Sequence, residues 1–412
     1  MVRRRGIDCP RASGTAGARA VAYAGRMKTA TRTHGFTESV IRGMTRLANE
    51  HGAVNLAQGF PNFPAPDLLK EAAARAIRAD VNQYAITWGA KRLRDALARK
   101  YASWYGVAAD PETELTVTCG ATEAMASTVL ALVDPGDEVI VFEPFYENYG
   151  PDAILCGARP VYVPMPLDGP LDLERLAAAF SDRTRAIIVN TPNNPTGRVL
   201  SREELQGIAA LCVRHGAWAI TDEIYEHIRY EGEHVGLAAL PGMRERTVVV
   251  SGASKTFSIT GWRVGWILAP PGATAAIRKV HDFLTVGAPA PLQDAVATAL
   301  DELPRGYYEQ MSDAYRARRD LLCGALTRAG FRLVPPQGAY YVLADYGALA
   351  DEPDPAFAVR LVKEAGVATV PASSFFRAPD PARRVVRFAF CKTEDVLAAA
   401  AERIATFAAG RR

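Results

Sequence analysis

Residues 183–225 read RTRAIIVNTPNNPTGRVLSREELQGIAALCVRHGAWAITDEIY. The run "AIIV" is continuously apolar and stops at the turn-rich "NNPTG". Ser201 and Glu204 then form a capping-box pattern, and the helical stretch behind them closes on Gly216. A second apolar run, "AWAI", ends in "TDEIY". Strand, helix and strand follow one another. Strands that are apolar throughout, rather than alternating, belong to a sheet covered on both faces. This stretch therefore predicts a βαβ unit of a parallel sheet.

The same alternation extends in both directions. "DLLKEAAARAIRA" and "AKRLRDALARKYASWYG" have helical periodicity. "TELTVTCG" is a strand that runs directly into the helical "ATEAMASTVLALV". "EVIVFEP", "ARPVYVPM" and "RTVVVSGAS" are further strands, and "WRVGWILAP" returns as an antiparallel one. The expectation is an α/β fold with a mostly parallel sheet between helices, spanning 67–304. After residue 304 the texture becomes α+β: a long helical stretch, two strand patterns and a terminal helix. Residues 29–66 and 305–412 are expected to form a smaller α+β domain.

Composition excludes several functional classes. The chain has 412 residues and a formal charge of only +3. Residues 1–28 hold seven basic side chains against Asp8 alone, so the rest is slightly acidic. The body has no basic footprint for nucleic acid. No apolar run approaches a membrane span. The six cysteines lack CxxC spacing and read as free thiols of a reducing, cytoplasmic compartment. Residues 1–26 lack the apolar core of a secretory signal. Residues 1–28 read as a basic, disordered tail, or as translation assigned too far upstream with Met27 the start. No Walker-type or Rossmann glycine pattern occurs, and no HExxH. His227 and His234 lack a third ligand at a sensible spacing and read as solvated.

Ligands of such sheets bind beyond the carboxyl ends of the strands. The polar residues at those ends are Gly120, Ala121 and Thr122 before a helix, Tyr146 in "FEPFYENY", Asn194 in "NNPTG", and Asp222 and Tyr225 in "TDEIY". "SKTFSITGWRVGW", residues 254–266, adds Lys255 and, eight positions on, Arg263. In this order and at these separations the motifs resemble the class I aminotransferases, fold-type-I enzymes that use pyridoxal 5′-phosphate (PLP). The resemblance runs from about residue 36 to the C-terminus. "NLAQGFPNF" at 55–63 and "RFAF" at 387–390 resemble the kynurenine, glutamine and methionine transaminase branch.

The resemblance implies a seven-stranded, mostly parallel sheet in the large domain, and a role for each residue. Lys255 would bond the cofactor's aldehyde carbon and later move the proton between substrate Cα and that carbon. Asp222 would face the pyridinium nitrogen. Asn194 and Tyr225 would donate to the ring oxygen, and Tyr146 would stack on the ring. Gly120, Ala121, Thr122, Ser254 and Arg263 would hold the phosphate, joined by Tyr84 from a neighbouring subunit of a homodimer. Arg387 would take the substrate α-carboxylate, with Asn194 and Ala57 beside it. The partners would be an L-amino acid and a 2-oxo acid, exchanged by a ping-pong mechanism through pyridoxamine phosphate. A C–S β-lyase of the same fold is the alternative, since both reactions begin with Cα deprotonation.

The pattern departs from the family at three places. Position 252 is glycine where many relatives place a phosphate-binding serine, which leaves Ser254 or Ser251 to compensate. Position 57 is alanine where kynurenine-type relatives have glycine. "HDFLTVGAP", residues 281–289, carries neither the arginine of an aspartate-specific branch nor the aromatic of some kynurenine enzymes.

Overall fold

A computed structural model describes residues 28–378 and 380–410. The expected tail, apart from Lys28, lies outside the described residues. The strands are β1 (Val54–Asn55), β2 (Leu115–Thr118), β3 (Glu138–Glu143), β4 (Arg159–Pro164), β5 (Thr184–Asn190), β6 (Trp218–Asp222), β7 (Thr247–Gly252), β8 (Gly265–Leu268), β9 (Arg332–Leu333), β10 (Tyr341–Asp345), β11 (Val367–Ala368), β12 (Val370–Pro371) and β13 (Val385–Ala389).

Seven of them form one sheet in the order β2-β8-β7-β6-β5-β3-β4. Only β8 runs antiparallel to its neighbours β2 and β7. The burial pattern explains the apolar runs. Ile140, Ile187, Val189 and Ala219 pack on one face with Leu205, Ile208 and Leu211 of the helix Arg202–His215. Val139, Ala186, Ile188, Ile220 and Val248 face the other way, onto Ala124, Met125 and Val129 of the helix Ala121–Leu132. Alternate residues of each strand thus enter opposite cores. The predicted capping box is formed: Ser201 accepts from the Glu204 amide while Glu204 accepts from the Ser201 amide.

Register brings the polar strand ends together. Asn190 pairs with Asp222, Gly252 with Gly265, and Thr118 with Gly265. A second sheet, β12-β13-β10-β9, is antiparallel, and β13 carries Arg387 opposite Leu343 and Val370. β1 pairs with β11. One apolar core joins Ile41, Met44 and Leu56 to residues of the C-terminal part such as Leu322, Phe357 and Phe388, which sets the start of the described chain beside its end. Among the described residues no helix is long and apolar enough to cross a membrane.

Candidate active site

A cavity of about 500 Å³ opens at the carboxyl ends of β2, β5, β6 and β7. At one part of it the chain leaves β2 through Gly120, at φ 83°, into the helix Ala121–Leu132. Ala121 and Thr122, at the start of this helix, stand in the wall with Ser254 and Arg263. The Arg263 guanidinium donates to the carbonyls of Thr260 (3.0 Å) and Cys119 (3.4 Å). A Cβ at position 120 would lie 2.3 Å from Arg263 Nη2, so glycine is needed for this approach. Arg263 itself has φ 56°, a left-handed conformation that costs roughly 1–2 kcal/mol for a side-chain residue. A helix N-terminus, a serine and an arginine together suit a dianion such as phosphate.

Asp222, at the end of β6, is buried. Tyr149 donates to its Oδ2 at 2.7 Å and the Ile224 amide to its Oδ1 at 3.2 Å. Burial raises its pKa, and these two hydrogen bonds and the charge of Lys255 oppose the rise. Lys255 follows β7 and donates to the Gly59 carbonyl at 3.3 Å. Its ammonium lies 5.7 Å from the centroids of both Tyr225 and Tyr340. Burial pushes its pKa down to about 8, with Arg263 and Arg387 acting in the same direction and Asp222 against. Tyr225 shares a 3.1 Å hydrogen bond with Tyr341. Tyr146, also in the wall, meets Tyr149 edge-on at 5.7 Å.

Arg387 is 1% exposed. It donates to Asn194 Oδ1 at 2.8 Å and to the Ala57 carbonyl at 2.6 Å. Its Nε, buried, has no hydrogen-bond partner among the described residues, and its guanidinium lies over Tyr341 and Phe375. A buried cation facing neutral acceptors, with one donor to spare, is suited to a carboxylate.

Residues 52–404 match the family described as aminotransferase class I and II. The chain belongs to this family. It is 41% identical over 395 residues to the probable N-succinyldiaminopimelate aminotransferase DapC of Mycobacterium tuberculosis, covering 92% of this chain and 98% of that one. It is 40% identical to the methionine aminotransferase of Escherichia coli (89% and 95% covered) and 38% identical to human kynurenine–oxoglutarate transaminase 1 (87% and 93%). The solved structure of the M. tuberculosis N-succinyldiaminopimelate aminotransferase superposes with a TM-score of 0.90 over 92% of this chain and all of that one.

The fold is accordingly the fold type I of PLP enzymes, and the chain is a PLP-dependent aminotransferase. It moves the amino group of an amino acid to a 2-oxo acid. The donor set fits the cofactor on its own terms: an anion cradle that a Cβ at 120 would fill, a buried carboxylate, and a lysine whose pKa is lowered.

In this aminotransferase several expected residues act otherwise than their types suggest. Ala57 is fully buried behind the wall and reaches the site only through its carbonyl on Arg387. Gly120 contributes the close approach of Arg263 rather than a surface. Tyr84 stands outside the cavity and is 87% exposed. Ser251 donates to Glu226 at 2.9 Å and faces away from the cavity wall, so Ser254 is the serine beside Arg263. Gly252 is explained by packing: a Cβ there would come within 3.1 Å of Gly265 Cα, Val264 O and Ile224 Cδ1.

His227 and His234 correct the sequence reading, for both are buried. His227 packs edge-on against Trp104, and burial lowers its pKa to about 3. His234 bonds Glu223 at 2.9 Å. The segment after β6 runs beneath the helix Lys91–Tyr105 instead of into solvent, and sequence spacing carries no sign of that. Tyr149 and Asn190 were also not singled out. Asn190 donates to the Asp222 carbonyl and accepts from the Asn194 amide, both at 2.8 Å. It ends an apolar strand in a polar residue, the same signal that marked Asp222.

Proposed function

We propose that Lys255 is the residue that bonds PLP and moves the proton at substrate Cα. When bound, the cofactor supplies an electron sink that makes this proton removable. Asp222 faces the ring nitrogen and keeps it protonated, and Tyr149 supports its ionised form. Tyr146 covers the ring, and Asn194 and Tyr225 serve the ring oxygen. Ala121, Thr122, Ser254 and Arg263 hold the phosphate. Arg387, set by Asn194 and the Ala57 carbonyl, orients the α-carboxylate. The observation that carries the reading is one cavity holding a lysine with a pKa near 8, a buried aspartate and a buried arginine that has no acidic partner among the described residues.

The division of labour follows the two sheets: residues 67–304 hold the cofactor, and 29–66 with 305–412 supply Arg387. The names of the relatives support amino acids with long side chains, methionine, kynurenine or an N-succinylated diamino acid, as donors to try first. The free thiols Cys119, Cys156, Cys212, Cys323 and Cys391 support a cytoplasmic setting. Tyr84, Phe283 (91% exposed), Ile86 and Val286 form exposed apolar surface on two segments joined by the His281–Thr87 hydrogen bond. That supports a homodimer in which Tyr84 completes the partner's phosphate site.

Borohydride reduction of the holoenzyme followed by peptide mapping tests the central assignment. The pyridoxyl label is expected on Lys255. A label on another lysine rejects it.

A further inference from the structure

The helix Val40–Glu50 meets the cavity end-on, and Ser39, Ile41 and Arg42 stand in the wall. Its start is pinned to the far side. The Ser39 hydroxyl donates to Glu147 Oε2 at 2.5 Å, and the Ile41 amide to Glu147 Oε1 at 3.3 Å. Glu147 is thereby engaged through both oxygens. Ser39 Oγ in turn accepts from the Arg42 amide at 3.4 Å. The backbone that carries Arg42 is held in place.

Neither helix stability nor ion pairing accounts for this arginine. A cation in the first helical turn opposes the helix dipole. Glu38, which senses the charge of Arg42, gives its two oxygens to Arg46 at 2.7 and 3.0 Å. Among the described residues no carboxylate forms an ion pair with the exposed Arg42 guanidinium. The cations of the cavity wall are Arg42, Lys255, Arg263 and Arg387. The function proposed above uses Arg263 for phosphate, Lys255 for the aldehyde carbon and Arg387 for the α-carboxylate. Arg42 is the one left over, in the same wall as the apolar residues Ile41 and Phe60.

We propose that Arg42 is a specificity-determining residue that selects amino and 2-oxo acids with a second carboxylate at the end of the side chain. Ile41 and Phe60 cover the methylene chain, and Arg42 receives the distal anion at the cavity mouth. The inference rests on the proposed function, because it presupposes that Arg387 holds the α-carboxylate.

The test compares 2-oxoglutarate with 2-oxohexanoate, an acceptor of similar length without the distal charge, in the holoenzyme and in Arg42→Gln and Arg42→Glu. The wild type is expected to have the lower KM for 2-oxoglutarate. The preference should fall about tenfold in Arg42→Gln, the scale of one lost charge contact, and further in Arg42→Glu. A ratio of KM values that is the same in all three proteins overturns the proposal. Binding of glutarate, a dicarboxylate that cannot react, is measured in parallel by calorimetry. It should weaken with salt and in Arg42→Gln, whereas butyrate binding should not change in the same way. Equal glutarate affinities for wild type and Arg42→Gln also overturn it. This arm needs no turnover, so it decides on Arg42 even if transamination fails with every acceptor, a result that would strike the proposed function instead.

Discussion

At Lys255 a single amine must be charged in water and nucleophilic in the site. Its pKa of about 8 leaves roughly a tenth of it neutral at pH 7, against on the order of 0.03% for an ordinary lysine. In the apoenzyme, limiting acetic anhydride should therefore label Lys255 with a midpoint near pH 8, well below that of ordinary lysines at about 10.4. Mass spectrometry reads each site, and a Lys255 profile that follows the others would refute its assignment as the poised amine. The linkage has a definite sign. The folded pKa lies below the unfolded one, so unfolding takes up a proton between about 8 and 10.5, and apoenzyme stability rises with pH across that window. Residues of this kind were legible where chemistry and position coincided. Asp222 is the polar end of an apolar run, Asn194 stands in the turn after another, and Lys255 follows a third. Arg387 came only through the family resemblance, since an arginine inside a strand pattern says nothing of its own. Tyr149 escaped because its role is a hydrogen bond across 73 positions, which no local pattern encodes.

Elements were more legible than contacts. The strands of the seven-stranded sheet were readable because their side chains enter the cores on both faces, and the helix Arg202–His215 because its cap is written in adjacent residues. The short turn from β2 into the helix Ala121–Leu132 was recognisable as a strand-to-helix junction, but its purpose depends on β8. Gly265 presses against it so tightly that a Cβ there would lie 2.5 Å from the Gly120 carbonyl carbon. Gly120→Ala should fold, with a stability loss of roughly 1–3 kcal/mol, because φ 83° with ψ 166° is a backbone region essentially reserved for glycine. It should bind PLP at least tenfold more weakly, because the new methyl displaces the Arg263 guanidinium. Gly106→Ala is the control: at φ 65° it also strains the backbone, but no atom lies near the added Cβ, so it leaves the cradle untouched. Cofactor titration of both apoproteins decides. Equal PLP affinities would mean that position 120 matters only to the backbone.

For the whole molecule the question is whether one chain makes a complete site. Tyr84 is directed to solvent, and its neighbours at 283–286 expose Phe283, Leu284 and Val286. A lone tyrosine on the surface needs no explanation, but residues 84–86 and 283–286 each expose apolar side chains, and the hydrogen bond between His281 and the Thr87 carbonyl ties the two segments together. In a two-fold dimer the same patch would serve both sites at once. Subunit exchange tests this directly. A Lys255→Ala chain and a Tyr84→Ala chain, each inactive alone, are mixed and allowed to exchange. A hybrid dimer then has one site with both defects and one site with neither. Half of a randomly exchanged population is hybrid, so activity should return to about a quarter of wild type if the sites work independently. If native mass spectrometry confirms hybrids and activity stays at the level of the single mutants, Tyr84 serves its own chain. The exposed surface around Phe283 would then need another partner, because the cavity of a single chain would already be sufficient for the chemistry.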